Sequence, residues 1–189
     1  MKVLITGNLG YVGSELVKHL KFNIEKINIT GLDTGYFENN LSSASQLPEN
    51  KCDKQIKIDI RKLNLETLDE FDVYIFLAAV SNDPIGKKFK KATDEINVDA
   101  HTRMINYISA LPQKTIVFAS SCSVYGAGGD VTKKESDKLE PLTTYAHSKI
   151  EVENLLKKTG SLSNKITCLR FATACGMSDK LRLDLVLND

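Results

Sequence analysis

Lys2-Val3-Leu4-Ile5-Thr6-Gly7-Asn8-Leu9-Gly10-Tyr11-Val12-Gly13 carries the strongest fold signal in this chain of 189 residues. Its apolar start predicts a buried strand, and its three glycines predict a tight turn into a helix. Gly7 would permit the turn, Gly10 would let a ligand approach the backbone, and Gly13 would let the helix lie against the strand. The helix N-terminus would then offer amide groups to an anion. Taken alone, this glycine spacing fits a purely structural turn equally well.

Short apolar runs alternate with amphipathic stretches along the rest of the chain. Strands are predicted at Lys2–Thr6, Lys26–Leu32, Gln55–Ile58, Val73–Ala79, Thr115–Ser120 and Ile166–Ala172. Helices are predicted at Tyr11–Lys21, Leu63–Glu70, Phe89–Leu111 and Thr143–Lys158. The longest of them should bury one apolar stripe, formed by Phe89, Ala92, Ile96, Ala100, Met104 and Ile108. Strands that alternate with helices predict an α/β fold with a doubly wound parallel sheet.

Composition narrows the class of protein. The chain is 42% hydrophobic and 26% charged with a net charge of +1, which is typical of a globular protein and favours neither nucleic acid nor an anionic membrane as partner. No apolar run approaches the roughly 20 residues that span a bilayer, and the first residues read as a strand rather than a signal peptide. The cysteines lack metal-ligand spacing, so we expect reduced thiols, no metal site and a cytoplasmic location. They are Cys52, Cys122, Cys168 and Cys175.

Asp33 strengthens the ligand-binding interpretation of the glycine turn. It ends the second predicted strand, 20 residues after Gly13, where a carboxylate can accept hydrogen bonds from both hydroxyls of a ribose. Its charge would repel a 2′-phosphate, and residues 34–36 supply no Arg or Lys to compensate. The sequence therefore predicts NAD rather than NADP. Asp59, after the third strand, could meet the adenine end or could cap a helix.

Tyr145-Ala-His-Ser-Lys149 supplies the candidate catalytic pair. Tyr145 and Lys149 are four residues apart, so both project from one helix face. A free phenol titrates near about 10, and a neighbouring ammonium group lowers that pKa by stabilising the phenolate. Ser121 ends its strand at the ligand-binding edge, where its hydroxyl could hold a substrate oxygen or could merely cap a turn. His147 should point away to the surface, and Cys122 should line the pocket rather than act as a nucleophile.

The chain resembles the extended short-chain dehydrogenases/reductases, and most closely the NAD-dependent nucleotide-sugar epimerase/dehydratase branch that includes UDP-glucose 4-epimerases. The resemblance covers nearly all residues. It is carried by Thr6–Gly13, Asp33, Asp59, Leu77-Ala78-Ala79, Glu95-Ile96-Asn97-Val98, Ser120–Gly126, Tyr145–Lys149 and Leu169-Arg170-Phe171. It implies a Rossmann fold and a homodimer that acts on a nucleotide-sugar.

The resemblance also implies roles for individual residues. The catalytic residues would be Ser121, Tyr145 and Lys149, and Asn97 would support Lys149 through its backbone and a water. The NAD site would comprise Gly7, Gly10, Tyr11, Val12, Gly13, Asp33, Asp59, Ile60, Ala78, Ala79, Asn97, Tyr145 and Lys149. Substrate contacts would come from Ser81, Ser121, Cys122, Ser123, Thr173 and Asn188.

The residues after the catalytic hydroxyl separate the possible reactions. Dehydratases of this branch carry an Asp-Glu pair there, whereas this chain has Cys122 and Ser123, which cannot serve as the acid that eliminates water. Small residues favour an epimerase that works through a transient keto sugar. A nucleotide-sugar reductase, dehydrogenase or dehydratase and a non-catalytic dinucleotide-binding regulator remain alternatives. Thr173, Cys175 and Met177 replace the commoner Asn, Tyr and Pro, which leaves the sugar and the nucleotide open.

The resemblance further implies two regions. Residues 1–176 would form the NAD-binding Rossmann domain with the catalytic residues, and residues 177–189 would begin a substrate-binding region. Extended family members continue into a smaller domain that closes over the nucleotide-sugar. We therefore expect this chain to contain the cofactor-binding domain and to lack most of the carboxyl-terminal substrate domain.

Overall fold

The computed structural model describes residues 1–36, 47, 51–81, 88–127, 131–159, 163–180 and 182. Within these ranges the strands are β1 (Lys2–Thr6), β2 (Asn28–Asp33), β3 (Lys54–Lys57), β4 (Val73–Phe76), β5 (Thr115–Ser121) and β6 (Lys165–Phe171). They form one sheet in the order β3-β2-β1-β4-β5-β6, and all neighbouring pairs are parallel. This confirms the predicted α/β fold. The strand predicted at Val73–Ala79 ends earlier, at Phe76.

Helices cover both faces of the sheet, as the doubly wound pattern requires. The described helices are α1 (Tyr11–Asn23), α2 (Lys90–Asp94), α3 (His101–Ser109) and α4 (Thr144–Thr159), with a π-helical turn (Glu95–Ala100) joining α2 to α3. On one face Val17 of α1 packs against Val3 and Ile29. On the other face α3 and α4 pack against Tyr74, Phe76 and Phe118. None of the described helices has the length and apolar character needed to cross a membrane.

The helix predicted at Leu63–Glu70 is wrong. Two short 3₁₀ turns, Ile60–Lys62 and Leu65–Leu68, occupy this part of the chain. Each turn begins at a polar side chain that accepts a hydrogen bond from the amide two residues later, Asp59 from Arg61 and Asn64 from Glu66. Such local bonds compete with a continuous α-helix. An apolar pattern alone does not reveal this competition.

The apolar stripe predicted for Phe89–Leu111 is correct only in its second half. Ala100, Met104 and Ile108 are buried, but Phe89 is 54% exposed. In the first half the buried positions are Thr93 and Asn97 instead, one residue later than the predicted stripe. The buried residues Thr93, Asn97, Ala100, Met104 and Ile108 keep the three- and four-residue spacing of one helical face, and the predicted Ala92 and Ile96 lie one residue off that face. The shift places the polar Asn97 in the interior.

Gly31 lets two side chains meet across the middle of β2. Asn8 Nδ2 donates to Gln55 Oε1 at 2.7 Å, and Gln55 Nε2 donates to Asn8 Oδ1 at 3.2 Å. A Cβ at Gly31 would lie 2.2 Å from Asn8 Nδ2 and 2.5 Å from Gln55 Oε1. The amide pair therefore ties the glycine turn to β3 and requires glycine between them.

We expect Gly31→Ala to lower the free energy of unfolding by about 1–3 kcal/mol, because the new methyl group overpacks this contact. Urea denaturation measures the loss. Asn8→Ala removes the nearer clashing atoms, so the double variant Asn8→Ala/Gly31→Ala should lose less than the sum of the two single variants. Strictly additive losses would contradict the assigned clash.

Candidate active site

The strand order places a crevice at the carboxyl edge of the sheet. From β1 the chain proceeds to β2 on one side, while β4 lies on the other side of β1. The order of the strands thus reverses between β1 and β4. In open α/β sheets, ligands bind outside the carboxyl ends of the strands at such a reversal. The glycine turn follows β1 and the segment that begins at Leu77 follows β4, so these two segments form the banks of the crevice.

The glycine turn has the geometry of a close-approach site. Gly7 has φ +74°, a left-handed conformation, and a Cβ there would lie 2.7 Å from the backbone nitrogen of Ala78. A Cβ at Gly13 would lie 2.3 Å from the Gly7 carbonyl oxygen. Gly10 differs, since its Cβ would approach only that same carbonyl, at 3.3 Å. Gly7 and Gly13 thus hold the turn close to the β4 exit and to itself, while Gly10 leaves room above the first turn of α1, where a helix presents backbone amides to an anion. This cradle fits a pyrophosphate.

Asp33 lies beside the glycine turn, as a ribose-binding carboxylate would. One of its oxygens accepts from the Leu9 amide at 3.2 Å and the other from the Gly35 amide at 2.9 Å. These bonds hold the carboxylate at the end of β2, next to the turn. Its role toward a ribose stays a prediction.

Asp59 caps the 3₁₀ turn that begins at Ile60, which is one of its two predicted roles. Its carboxylate also pairs with Arg61 at 2.6 Å, and Arg61 reaches Glu95 at 2.9 Å. The hydrogen bond from Arg61 holds the pKa of Asp59 below its ordinary value. Ile60 itself is buried in the core. A contact of either residue with adenine stays a prediction.

Asn97 binds the backbone on the β4 bank of the crevice. Its Oδ1 accepts from the Val80 amide at 2.8 Å, and its Nδ2 donates to the Val80 carbonyl at 3.0 Å. Nδ2 also lies 3.4 Å from the hydroxyl oxygen of Ser148, the residue before Lys149. Because Ala78 and Ala79 directly precede Val80, the Asn97 amide fixes the strand exit that they form. The expected support of Lys149 through a water stays a prediction.

Lys149 is a buried cation beneath the carboxyl end of β5. Its Nζ donates to the Ala119 carbonyl at 2.7 Å and lies 5.2 Å from the centroid of the Tyr145 ring. The ring of Phe118 flanks it at 4.7 Å. Burial lowers the pKa of Lys149 to about 7. The structure thus brings Tyr145 and Lys149 together, two residues from the end of β5, while His147 is exposed as predicted.

Ser121 sits at the start of a 3₁₀ turn, Cys122–Tyr125, directly after β5. Its hydroxyl oxygen accepts from the Ser123 amide at 3.2 Å and from the Ser123 hydroxyl at 2.9 Å. The predicted capping role is therefore present, and it orients the hydroxyl at the ligand-binding edge. A catalytic role for Ser121 stays a prediction.

The remaining predicted substrate contacts occupy the same edge of the sheet where the structure describes them. Cys122 and Thr173 are exposed, and Ser81 accepts a hydrogen bond from Arg182 at 2.9 Å. Asn188 lies outside the described residues. These assignments stay predictions.

A buried ionic network escaped the sequence analysis. Glu153 is 1% exposed and accepts from the Ser120 hydroxyl at 2.5 Å. Arg170 on β6 donates to both Glu153 oxygens, at 2.9 and 2.7 Å, and to the Tyr125 hydroxyl at 2.8 Å. Burial alone would raise the pKa of Glu153, but the bonds from Arg170 and Ser120 hold it below its ordinary value. The available signal was spacing, since Glu153 follows Lys149 by one helical turn.

His101 also has a place that the sequence did not indicate. Its ring packs edge-on between Phe76 and Phe118, and its Nδ1 lies 3.0 Å from the Ile96 carbonyl oxygen. A carbonyl can only accept, so Nδ1 carries the proton, and Nε2 has no hydrogen-bond partner among the described residues. Burial, with the charge of Lys149, lowers the pKa of His101 to about 4. His101 is therefore a neutral side chain packed in the core and not a candidate acid or base.

We expect Lys149→Met to raise the melting temperature of the protein without cofactor at pH 7, because the variant no longer buries a cation. Between about pH 7 and the ordinary pKa of lysine, the unfolded chain holds a proton that the folded chain gives up. The stability of the unmodified protein should therefore rise with pH across this window, and the variant should lose that contribution. Each kcal/mol gained corresponds to about 2–4 °C.

Differential scanning calorimetry at several pH values measures this effect. Lys158→Met is the matched control, because Lys158 is exposed on the same helix, and it should change neither the melting temperature nor its pH dependence. A lower melting temperature for Lys149→Met would contradict the assigned burial cost.

Comparison with known proteins agrees with this geometry. Residues 3–184 match the NAD dependent epimerase/dehydratase family. The chain is 32% identical over 185 residues to an uncharacterized UDP-glucose epimerase, YtcB, of Bacillus subtilis. The aligned region covers 93% of this chain and 57% of that protein.

Solved structures share the fold. MoeE5, determined in complex with UDP-glucose and NAD, is 28% identical with a TM-score of 0.74, over 90% of this chain and 54% of that one. The UDP-N-acetylglucosamine 4-epimerase of Methanobrevibacter ruminantium is 27% identical with a TM-score of 0.73, over 89% and 54% respectively. The chain thus spans about half the length of the proteins it matches. With its glycine cradle, its reversal of strand order and its family match over almost every residue, the chain belongs to the NAD-dependent epimerase/dehydratase family.

Proposed function

We propose that this chain is the NAD-binding and catalytic part of a nucleotide-sugar epimerase. The observation that carries the proposal is the pairing of Tyr145 with the buried Lys149, which is anchored to Ala119 beside Ser121. The solved relatives support the substrate class, because MoeE5 was determined with UDP-glucose and NAD and another relative is named a UDP-N-acetylglucosamine 4-epimerase. The free cysteines support a cytosolic protein, and we retain a homodimer as part of the proposal.

The residues of the site divide the chemistry among them. Bound NAD would supply a hydride acceptor that later returns the hydride. Tyr145 would accept the proton of a sugar hydroxyl and give it back, with the positive charge of Lys149 stabilising the phenolate. Ser121, oriented by Ser123, would hold the reacting oxygen. A keto sugar that turns over in the pocket and is reduced on its other face leaves as the epimer.

The exposed Cys122 and the neighbouring Ser123 argue against dehydration, because neither side chain can deliver the acid that eliminates water. A reductase or dehydrogenase uses the same proton transfer but releases the cofactor in its changed redox state. The two reactions therefore differ in the fate of the cofactor.

Mass spectrometry of small molecules that co-purify with the 189-residue chain, followed by NMR of UDP-sugars incubated with it, tests the proposal. We expect NAD to co-purify and the sugars to interconvert slowly or not at all, since productive positioning accounts for several kcal/mol of barrier lowering and relatives are about twice as long. A net change in the redox state of the nicotinamide would indicate the reductase or dehydrogenase, and a product lighter by one water would indicate a dehydratase. Bound NAD without any turnover is expected of the regulator and equally of a chain that lacks the substrate domain.

We expect Tyr145→Phe to lower the rate of sugar interconversion by about 10²–10⁴-fold, because only the proton-carrying oxygen is lost. Affinity for NAD, measured by calorimetry, should stay nearly unchanged. Tyr107→Phe is the control, since the Tyr107 hydroxyl bonds to Asp69 at 2.7 Å on the surface. Retention of more than about a tenth of the rate by Tyr145→Phe would overturn the assignment.

We expect the unmodified chain to bind NAD more tightly than NADP, and Asp33→Ala to narrow the difference. A lost charge-assisted hydrogen bond costs about 1.5–3 kcal/mol of NAD binding, and the repulsion of a 2′-phosphate disappears with the charge. Asp72→Ala removes the same charge from a residue whose carboxylate binds the Lys2 amide at the amino edge of the sheet. This control should leave the preference intact. Equal affinities of the unmodified chain for both cofactors would refute the assignment.

A further inference from the structure

The chain that follows β6 returns across the carboxyl edge of the sheet. Phe171 ends β6 beside Ser121, and the Tyr11 hydroxyl donates to the Gly176 carbonyl at 2.8 Å. β6 and β1 are separated by three strand spacings, about 14 Å in all. Five residues span at most about 18 Å. Residues 172–176 therefore run from the end of β6 toward the start of α1, along the carboxyl edge of the sheet where the crevice lies.

Ser178 attaches this crossing segment, residues 172–180, to the start of α1. Its hydroxyl donates to the Tyr11 carbonyl at 2.8 Å and lies 3.0 Å from the Ser14 hydroxyl. It also accepts from the Lys180 amide at 3.1 Å. Ser178 is 5% exposed, so the contact is a packed one and not a loose surface approach. It covers the first two turns of the helix that begins at the glycine cradle.

Asp179 adds an ionic attachment. Its amide donates to Glu15 at 3.0 Å, and its carboxylate accepts from Lys18 at 3.3 Å and from Lys51. Burial alone would raise the pKa of Asp179, but the bonds from Lys51 and Lys18 hold it below its ordinary value. The carboxylate therefore stays charged near neutral pH and joins the crossing segment both to α1 and to the chain before β3.

Arg182 reaches the opposite bank of the crevice. Its Nη1 donates to the Ser81 hydroxyl at 2.9 Å, and Ser81 belongs to the segment after β4 that Asn97 holds through Val80. The chain after β6 thus contacts both banks, α1 on one side and the exit of β4 on the other. A ligand lying between the two banks would therefore lie next to this chain.

We infer that Ser178 and Asp179 are positioning residues that retain NAD by holding the crossing segment over its pyrophosphate. The inference rests on the proposed function, which places NAD in this crevice. It explains how the site could serve an epimerase in particular, because such an enzyme returns the hydride to the same substrate and must keep one cofactor through both transfers. A dehydrogenase, by contrast, must release its cofactor in each cycle.

Stopped-flow fluorescence tests the inference on the 189-residue chain loaded with NADH and mixed with excess NAD. We expect Asp179→Asn, which keeps the shape of the side chain but not its charge, to speed NADH dissociation about tenfold, with a smaller effect on the association rate. Ser178→Ala should act in the same direction. Lys51→Met should also speed dissociation, and combining it with Asp179→Asn should add less than the sum of the two effects.

The salt dependence of NADH dissociation separates retention of the cofactor from a general loss of protein stability. Dissociation from the unmodified chain should quicken as potassium chloride screens the lysine–Asp179 pairs, and Asp179→Asn should flatten that dependence. Glu70→Gln, which breaks an exposed pair with Lys2 at the amino edge, is the control and should leave the dissociation rate and its salt dependence unchanged. The melting temperatures of the cofactor-free variants show whether each one folds.

The possible outcomes separate a failure of cofactor retention from a failure of the proposed function. Unchanged dissociation from folded Asp179→Asn and Ser178→Ala would overturn retention while leaving the proposed function intact. If these variants bound NADH faster and more tightly, the segment would be blocking the site. That result would also overturn the retention proposal. If the unmodified chain did not bind NADH, both the retention proposal and the proposed function would be overturned.

Discussion

The buried carboxylate of Glu153 is the group on which the placement of the catalytic elements depends. It joins α4, through its own backbone, to Ser120 on β5 and Arg170 on β6. Breaking such a buried pair costs about 3–5 kcal/mol, because one charge is left uncompensated. Helix α4 therefore cannot slide along the sheet without a large penalty. Since Tyr145 and Lys149 are carried by this helix, their position relative to the end of β5 follows from the Glu153 contacts.

The charge of Glu153 is paired and stabilises the fold, whereas the charge of Lys149 destabilises it. Glu153 has a guanidinium partner, whereas the described hydrogen bond of Lys149 goes to a neutral carbonyl. An ammonium group in this setting lowers the stability of the fold, and its lowered pKa is the measure of that cost. A site that holds an uncompensated cation beside a phenol is poorly suited to stability and well suited to stabilising a phenolate. The position is thus one at which function and stability compete.

The two banks of the crevice are held by different means. On the β1 bank, glycine contacts fix the turn, because any side chain at Gly7 or Gly13 would collide with backbone. On the β4 bank, the side-chain amide of the buried Asn97 binds both backbone groups of Val80. The first bank therefore depends on the absence of side chains and the second on one buried polar side chain. Both leave backbone at the edge of the site in a fixed position.

Features that depend on local pattern could be predicted from the sequence. Apolar runs located every strand of the described sheet to within a few residues, and the glycine spacing, Asp33 and the Tyr145–Lys149 pair indicated where a cofactor and a reaction would be placed. Prediction failed at Leu63–Glu70, where Asp59 and Asn64 compete with the helix, and at the first half of the Phe89–Leu111 stripe. In the first segment local side-chain-to-backbone bonds replace the helix, and in the second the polar residues Thr93 and Asn97 take buried positions, neither of which an apolar pattern encodes.

Which distant groups meet depends on how the sheet and the helices pack. Ser178 and Ser14 are 164 positions apart in sequence, and Ser120 and Glu153 are 33 apart. Neither contact has a local signature, because a Ser, Asp or Glu reads as a surface residue until the fold buries it. The burial of Lys149 is likewise a property of the assembled sheet and helices. The sequence fixes the chemistry that each residue can perform, and packing decides which groups lose water and therefore which of them must pair.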